Sequence, residues 1–290
     1  MSDTYDDLID QAYNVRRALP DHPATFARWR QESDAYLAAC PAAQIDLPYG
    51  PDTGQRLDLF PATAGSNQTD PPLILLIHGG YWQALDKADN RQMARAFNQA
   101  GFSVAVLNYR LCPTVGIQAI CEDVTAAAQW LAKEAPTLGV ACSQMAVIGH
   151  SAGAHLAAML ACLMTQEAAL VNSELVYLGL VSGVFQLSPL LATRINDKLG
   201  LSPSQAEVLS PTTHSPPSGL WVDAFVGEYE TAGFFDQHRA LQAAWGQHTR
   251  LHHRVVASVD HLTIWDQLTD RDSPVASRML TALEQRTATD

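Results

Sequence analysis

Short apolar runs alternate with longer segments of helical pattern along most of the chain. The runs of strand length are Leu73–Ile77, Ser103–Leu107, Met145–Ile148, Val176–Val181, Trp221–Val226 and Arg254–Ala257. The segments of helical pattern between and after them are Lys87–Ala100, Gln118–Ala135, Ala154–Thr165, Ala232–Gln247 and Pro274–Arg286. Such alternation places parallel strands in one sheet with crossover helices on both faces. The pattern therefore predicts an α/β fold with a doubly wound, mostly parallel sheet.

Two regions depart from this alternation. Residues 1–40 are predicted to form a helical N-terminal segment, broken near Leu19–Pro23, and two early strands are predicted at Ile45–Leu47 and Arg56–Phe60. Residues 183–219 are irregular and contain several prolines. This insert either forms a small cap over the carboxyl edge of the sheet or merely connects two strands, and the sequence leaves both open. A length of 290 residues suits one large α/β domain over 1–290.

Composition and charge narrow the possible partners. The chain is 47% hydrophobic and 17% charged, which indicates a globular protein with a substantial core. A net charge of −12 argues against nucleic acid or an anionic membrane as a partner, because both bind basic surfaces. The acidic first residues lack the features of a secretion signal, and no apolar stretch approaches the roughly 20 residues that cross a bilayer, so we expect a cytoplasmic protein. The five cysteines are scattered without C-x-x-C pairs, which favours buried thiols over disulfides or a zinc site.

The most specific motif is Gly149-His150-Ser151-Ala152-Gly153, which lies between the predicted strand Met145–Ile148 and the predicted helix Ala154–Thr165. In a strand–turn–helix context the pattern G-x-S-x-G forms a nucleophile elbow, in which the serine Oγ projects from the edge of the sheet. Glycine is needed on both sides because a Cβ atom there would collide with the neighbouring strand or helix. The pentapeptide alone can occur by chance in a glycine-rich loop, but its context predicts Ser151 as a catalytic nucleophile.

A second motif, His78-Gly79-Gly80-Tyr81-Trp82, directly follows the predicted strand Leu73–Ile77. Acyl transfer builds negative charge on a carbonyl oxygen, and backbone N–H groups of a glycine-rich loop can stabilise that charge. We predict an oxyanion hole from N–H groups of Gly79, Gly80 or Tyr81 together with that of Ala152, the residue after the nucleophile. Which of these groups point inward stays open, as does the simpler interpretation of an ordinary Gly-Gly turn.

A serine nucleophile requires a base that is itself oriented by an acid, and in folds of this type the chain order is nucleophile, acid, base. His261 follows the last predicted strand, Arg254–Ala257, and is the predicted base. The other histidines have simpler interpretations as packing or surface residues. We assign His78 and His155 to packing and assign His238, His248, His252 and His253 to the surface.

The acid is predicted in the loop after the strand Trp221–Val226. Glu230 lies three residues past the glycine that ends this strand, so its carboxylate can reach the His261 loop. Glu228 is the nearest competitor. The weaker candidates lie inside elements or are expected to point away from the ring: Asp223, Asp236 and Asp260.

Taken together, His78–Trp82 and Gly149–Gly153 resemble the kynurenine formamidase (arylformamidase) branch of the esterase/lipase α/β-hydrolases. The likeness extends over most of the chain, through Asp10–Arg16, Tyr49-Gly50, Asn108–Leu111, Ser182–Phe185 and Ser210-Pro211. The resemblance implies the α/β-hydrolase fold, a catalytic triad of Ser151, Glu230 and His261, no metal and no cofactor. It departs at Glu230, where animal formamidases have Asp, and this departure leaves the substrate open.

The sequence therefore predicts a metal-independent serine hydrolase that acts on a small-molecule ester or arylformamide. Tyr81, Trp82 and His150 are the predicted substrate-binding residues, with Tyr81 and Trp82 placed to stack on an aromatic leaving group. For Trp82, packing of the loop onto the core is favoured over stacking on the substrate. The alternative function is a general carboxylesterase without formamidase activity, and a more remote one is a hydrolase-fold protein that binds a ligand without turning it over.

Overall fold

The computed structural model describes residues 5–62, 71–164 and 173–287, and one sheet of eight strands runs through them. The strands are β1 (Gln44–Pro48), β2 (Arg56–Phe60), β3 (Leu73–Ile77), β4 (Val104–Leu107), β5 (Gln144–His150), β6 (Glu174–Val181), β7 (Trp221–Gly227) and β8 (Arg250–Val256). Each predicted strand is present, although β8 begins at Arg250 rather than at Arg254.

The strand order across the sheet is β1-β2-β4-β3-β5-β6-β7-β8. The pairs β1–β2 and β2–β4 are antiparallel, and all remaining neighbours are parallel. The prediction of a doubly wound, mostly parallel sheet is therefore confirmed. Because the carboxyl ends of parallel strands lie at the same edge of a sheet, the loops after β3, β5, β7 and β8 meet there.

Strand β3 shows that both faces of the sheet are covered. All of its residues are buried. Leu73, Leu75 and Ile77 join the apolar cluster on one face, whereas Ile74 and Leu76 join the cluster on the other, as the period of two residues in a strand requires. A strand that is buried on both faces is a continuous apolar run in the sequence, and for this reason β3 could be predicted from the sequence.

Helices cover the two faces and connect the strands. They are α1 (Asp7–Tyr13), α2 (Val15–Ala18), α3 (His22–Ala38), α4 (Arg95–Gln99), α5 (Ile117–Glu134), α6 (Ala152–Met164), α7 (Asn196–Leu199), α8 (Pro203–Val208), α9 (Ala232–Trp245), α10 (Thr263–Asp266) and α11 (Pro274–Thr287). The predicted end of the sixth helix, at Thr165, lies outside the described residues. Within those residues, no helix combines the length and the apolar character that a membrane span needs.

The predicted helix Lys87–Ala100 is wrong in its first part and correct only over Arg95–Gln99. This segment forms two 3-10 turns, Lys87–Asp89 and Arg91–Ala94, before the short helix α4. The side chains of Lys87 and Arg91 turn inward to the fully buried Asp58, with N–O distances of 2.9 and 2.7 Å. A buried carboxylate must be paired with cations, and these ion pairs outweigh the helical propensity of the segment.

The insert 183–219 is tied to the N-terminal segment and to the loop after β3. The N–H of Asp6 donates to the carbonyl of Ala192 at 3.0 Å, and the N–H of Arg194 donates to the carboxylate of Asp10 at 2.9 Å. The Gln83 amide, in the loop after β3, donates to the carbonyl of Ile195 at 3.1 Å. The insert therefore lies over the carboxyl edge of the sheet, which favours the cap interpretation over a mere connection.

His238 is not a surface residue, contrary to the prediction. It is 3% exposed within α9, and its ring centroid lies 4.0 Å from that of the half-buried His253 on β8. Burial lowers the pKa of His238 to about 3, and burial lowers the pKa of His155 on α6 to about 4. Both imidazoles are therefore neutral at pH 7, because desolvation disfavours the charged form.

From the lowered pKa values of these two histidines we predict that the protein loses stability in mild acid. In the unfolded chain a histidine has a pKa of 6.5 and takes up a proton as the pH falls below that value. In the folded chain the pKa values of His155 and His238 are about 4 and about 3, so these residues take up protons only in stronger acid. Linkage then lowers the free energy of unfolding by about 2 kcal/mol per histidine between about pH 7.5 and pH 5. Urea denaturation at both pH values measures this loss. The variant His238→Gln should show a loss smaller by about 2 kcal/mol, and an unchanged loss would contradict the linkage.

Candidate active site

Ser151 lies at the turn between strand β5 and helix α6. Its backbone is left-handed, with a φ of +54°, a conformation that is strained for a residue with a side chain and that persists only where its surroundings enforce it. The N–H of Ser151 donates to the carbonyl of Val181 at 2.8 Å, which ties the turn to β6. The turn places Ser151 on the wall of a cavity at the carboxyl edge of the sheet.

Close backbone contacts explain both flanking glycines. A Cβ atom on Gly149 would lie 2.2 Å from the carbonyl oxygen of Gly153. A Cβ atom on Gly153 would lie 2.1 Å from the carbonyl oxygen of Ile77, at the end of β3. Both distances are well inside van der Waals contact. The G-x-S-x-G spacing is thus a steric requirement of the turn.

We expect Gly153→Ala to destabilise the protein strongly, because the new methyl group meets backbone that cannot move without disturbing β3. Overpacking of this kind typically lowers the free energy of unfolding by about 1–3 kcal/mol, and sometimes by more. Gly116→Ala is the matched control, since no atom lies within 4 Å of its added Cβ and its φ is −84°. Thermal unfolding of the two variants should differ by several degrees. Equal midpoints would show that the turn tolerates a side chain.

The loop after β3 brings backbone N–H groups to the same cavity. Gly80 has a φ of +100°, and a Cβ there would lie 2.2 Å from the carbonyl oxygen of Ala84. Gly80 and Tyr81 line the cavity with Ser151, and in the described part of the chain their N–H groups donate no hydrogen bond. Gly79 instead packs against the elbow, where a Cβ would lie 3.1 Å from that of Ser151. Of the predicted loop donors, Gly80 and Tyr81 are therefore the better placed, and Ala152 begins helix α6 on the other side of Ser151.

Buried polar contacts hold this loop. The Nδ1 atom of His78 lies 2.8 Å from the carbonyl oxygen of Gly79, and the Tyr109 hydroxyl donates to the carbonyl of His78 at 2.8 Å. The rings of His78 and Tyr109 are stacked, with centroids 4.5 Å apart. Burial lowers the pKa of His78. A neutral, packed His78 agrees with its predicted structural role.

Glu230 and His261 are brought together by the loops after β7 and β8. Nδ1 of His261 lies 2.7 Å from Oε2 of Glu230, and the Glu230 side chain is fully buried. The other carboxylate oxygen, Oε1, accepts hydrogen bonds from the Ser182 hydroxyl at 2.5 Å and from the N–H of Gly227 at 2.7 Å. A buried carboxylate held by several donors points in one direction.

The competing acids are engaged elsewhere. Glu228 accepts a hydrogen bond from the N–H of Ser258 at 2.8 Å, and Asp260 accepts from the N–H groups of Leu262 and Thr263. Asp223 is paired with Arg278, and Asp236 is paired with Arg239. Within the described residues, Glu230 is the carboxylate that contacts His261.

His150 is buried and packs against the loop that carries His261. Its Nε2 donates to the carbonyl oxygen of His261 at 2.7 Å, and its ring stacks on Trp265 with centroids 5.1 Å apart. Burial and the neighbouring His261 lower the pKa of His150 well below its usual value, so the ring is neutral. His150 lines the cavity but is only 2% exposed, so it acts mainly by holding the His261 loop.

The cavity has a volume of about 300 Å³ and is lined by both Ser151 and His261. In the described residues no hydrogen bond joins Ser151 Oγ to His261, and such bonds are often long until a substrate is bound. Tyr81 lines the cavity as predicted, with its hydroxyl donating to the carbonyl of Tyr13 at 2.5 Å. Trp82 does not line it, so its placement among the substrate-binding residues is wrong and the favoured packing role is the one observed. Trp82 is fully buried and packs edge-on against His155, with ring centroids 4.9 Å apart.

Several residues of the site were missed at the level of sequence. Ser182 donates to Glu230, and Phe234 packs against the His261 ring with centroids 4.2 Å apart. A polar residue at the end of β6, beside the elbow, is a signal that could have indicated Ser182. Val15 and Phe26, from the N-terminal helices, also line the cavity, together with four residues of the insert: Arg194, Ile195, Asp197 and Lys198. Their placement depends on tertiary contacts between distant segments, which no local pattern encodes.

The part of the chain that the structure describes contains no group of three or more His, Cys, Asp or Glu side chains arranged to hold a metal ion. His238, His248 and His252 could suggest a metal cluster in the sequence, but His238 contacts His253 and His252 lies 3.3 Å from Asp223. What the cavity does offer is a hydroxyl, an imidazole oriented by a carboxylate, and unpaired backbone N–H groups.

Several known proteins are similar to this chain over much of its length. The BD-FAE family model matches residues 57–182. Kynurenine formamidase from Salmo salar is 29% identical over 245 residues, covering 81% of this chain and 80% of that protein. Ethyl acetate hydrolase from Pseudomonas putida is 32% identical over 169 residues, covering 54% of this chain and 52% of that protein.

Solved structures show the same fold. A structure from Silicibacter sp. tm1040, provisionally assigned as a thioesterase, superimposes with a TM-score of 0.81 at 26% identity, covering 95% of this chain and 98% of that one. Esterase B from Lactobacillus rhamnosis superimposes with a TM-score of 0.73 at 21% identity, covering 94% and 96%. The similarity to formamidases and esterases supports an enzyme of the hydrolase class. The chain has the α/β-hydrolase fold and is similar to the esterase/lipase superfamily, including its formamidase-like branch.

Proposed function

We propose that the chain is a serine hydrolase that cleaves an arylformamide or a small or aromatic carboxylic ester through an acyl-enzyme. One observation carries the proposal: Ser151, the Glu230–His261 pair and the unpaired N–H groups of Gly80 and Tyr81 converge on one cavity. Acyl transfer needs a nucleophile, an oriented base and donors for the oxyanion, and this cavity supplies all of them.

In the proposed reaction Glu230 fixes the tautomer of His261. Because Nδ1 donates to the buried carboxylate at 2.7 Å, the lone pair of the neutral ring is on Nε2. Nε2 takes the proton of Ser151 Oγ as that oxygen attacks the substrate carbonyl. The imidazolium formed in this step is stabilised by the carboxylate, which stays ionised throughout.

The oxyanion of the tetrahedral intermediate accepts hydrogen bonds from the loop N–H groups and from that of Ala152. Loss of one such donor typically lowers kcat by about 10²–10³. His261 then returns its proton to the leaving alcohol or arylamine, and the acyl group remains on Ser151. Water, deprotonated by His261, hydrolyses the acyl-enzyme and restores the serine. The proposed chemistry uses only groups of this chain.

Two substrate classes are supported by different relatives. The kynurenine formamidases of Salmo salar and Danio rerio, which share 29% identity with the chain, support an arylformamide. Ethyl acetate hydrolase supports a small ester. Phe26 and Tyr81 on the cavity wall suit an aromatic body in either class.

Hydrolysis of N-formyl-L-kynurenine beside p-nitrophenyl acetate and butyrate distinguishes the two classes, with Ser151→Ala as the blank. A kcat/KM for the formamide well above the values for the esters, abolished in the variant, supports an arylformamidase. Ester turnover with negligible formamide cleavage supports a carboxylesterase on the same scaffold. Hydrolysis of either substrate that survives in the variant contradicts the proposal.

A further inference from the structure

The rim of the cavity is positively charged although the chain is strongly acidic. The charged side chains that line the cavity are three cations, Arg16, Arg194 and Lys198, and one carboxylate, Asp197. The whole chain has 18 lysines and arginines against 30 aspartates and glutamates. Cations are thus in excess at this opening, whereas acidic side chains are in excess in the chain as a whole.

These cations are not neutralised by the protein. In the described residues none of the three forms an ion pair, whereas Arg110 and Lys87 are paired with Asp123 and Asp58 at 2.6 and 2.9 Å. The nearby Asp197 carboxylate is engaged by the hydroxyl of Tyr5 at 2.5 Å. The guanidinium of Arg194 lies over the ring of Tyr5, with its carbon 5.3 Å from the centroid, and keeps its donors available.

The cavity holds the cations, an apolar wall and the candidate catalytic residues together. Ser151 and His261 line the same cavity as the cations, and Val15, Phe26 and Ile195 add apolar wall to it. Arg16 comes from α2, and Lys198 comes from α7 within the insert. A ligand that fits has a reactive carbonyl at one end, an apolar body and an anionic group at the other end.

We propose that this rim selects substrates whose leaving group carries a carboxylate, with Arg16 and Lys198 as the specificity-determining residues. The inference rests on the proposed hydrolysis at Ser151. An acyl part as small as formyl or acetyl leaves the bulk of the substrate on the leaving group, so the anion must be there. Exposed cations act through an electrostatic field that also raises the local concentration of an anionic substrate, and salt screens this field.

The probes are 3-acetoxybenzoate and 3-acetoxybenzamide, which have the same shape and the same acetyl group and differ in charge. We expect the wild-type kcat/KM for the anion to exceed that for the amide by about 10-fold, mainly through KM, and about 0.5 M NaCl to reduce this ratio. The double variant Arg16→Gln/Lys198→Gln should bring the ratio close to one. Arg194 is left in place because it packs on Tyr5.

Arg17→Gln is the matched control, because Arg17 is exposed and lies on the same helix but does not line the cavity. It should keep the wild-type ratio. A wild-type ratio near one, or a ratio that the double variant does not change, overturns the inference while leaving the proposed hydrolysis intact. Calorimetric binding of both probes to Ser151→Ala tests the rim without turnover. A preference for the anion there supports the inference even if the chemistry is not the proposed one, and equal binding overturns it.

Discussion

Replacing Ser151 by alanine is expected to lower kcat by about 10⁴ or more, for whichever substrate the wild-type protein cleaves best. Ser151 Oγ is the atom proposed to form the acyl bond, and among the described residues that line the cavity no other is a serine or threonine. The remaining rate comes from the oxyanion donors and from binding alone. Steady-state kinetics at saturating substrate measures the change, and an unaltered thermal midpoint serves as the control for folding.

A small effect of this substitution would mean that water, rather than Ser151, attacks the substrate. In that case the KM of the variant would also be close to that of the wild-type protein. The left-handed turn at Ser151 would then require another explanation.

Glu230→Gln is expected to lower kcat by up to about 10⁴, less than the loss of the nucleophile, because Ser151 and the oxyanion donors stay in place while the imidazole loses its orienting acceptor. A glutamine fits the same space, but its amide nitrogen cannot accept the proton of His261 Nδ1. The amide oxygen would still accept the hydrogen bonds from Ser182 and Gly227. The amide NH₂ group, which is a donor, would therefore face His261. The imidazole would adopt the wrong tautomer, with its proton on Nε2.

Glu228→Gln is the matched control for this prediction. Glu228 is on the same loop and exposed, and it is bonded to the N–H of Ser258 rather than to His261. We expect its kcat to stay within about threefold of the wild-type value, as for a typical surface substitution. If Glu228→Gln were damaging and Glu230→Gln mild, the assignment of the acid would be wrong.

The fold was largely predictable because each parallel strand is a continuous apolar run. Strand β3, buried on both faces, and strand β5, which leads into Gly149–Gly153, could be placed from composition and length. The site was predictable to the same extent, since the ends of parallel strands must meet at one edge. Ser151, Glu230 and His261 follow three such strands, and the structure brings them to the same edge.

What failed in the prediction depends on contacts between distant segments. The helical pattern of Lys87–Ala100 gave no sign that Lys87 and Arg91 would turn to Asp58. The polar neighbours of His238 suggested exposure, but the residue packs against His253 on another element. Trp82 adjoins the oxyanion loop in sequence, yet its left-handed backbone, with a φ of +56°, directs the ring into the core.

The insert and the N-terminal helices show the same limit. Neither α2 nor the short insert segment that contains Arg194, Ile195 and Lys198 carries a catalytic motif. Their place on the cavity follows from hydrogen bonds such as that between the N–H of Arg194 and Asp10. These two segments carry the cations that we propose select the substrate. A sequence pattern can therefore indicate the chemistry of this chain more readily than its specificity.

Covalent labelling of Ser151 is the most direct test of the central proposal. The wild-type protein is treated with an organophosphonate that carries a p-nitrophenyl leaving group, and the modified peptide is identified by mass spectrometry. We predict stoichiometric labelling on Ser151, loss of activity in parallel, and no labelling in Ser151→Ala. Labelling that is absent, or that falls on another residue, would contradict a serine hydrolase acting through Ser151 and would favour a hydrolase-fold protein that binds its ligand without turnover.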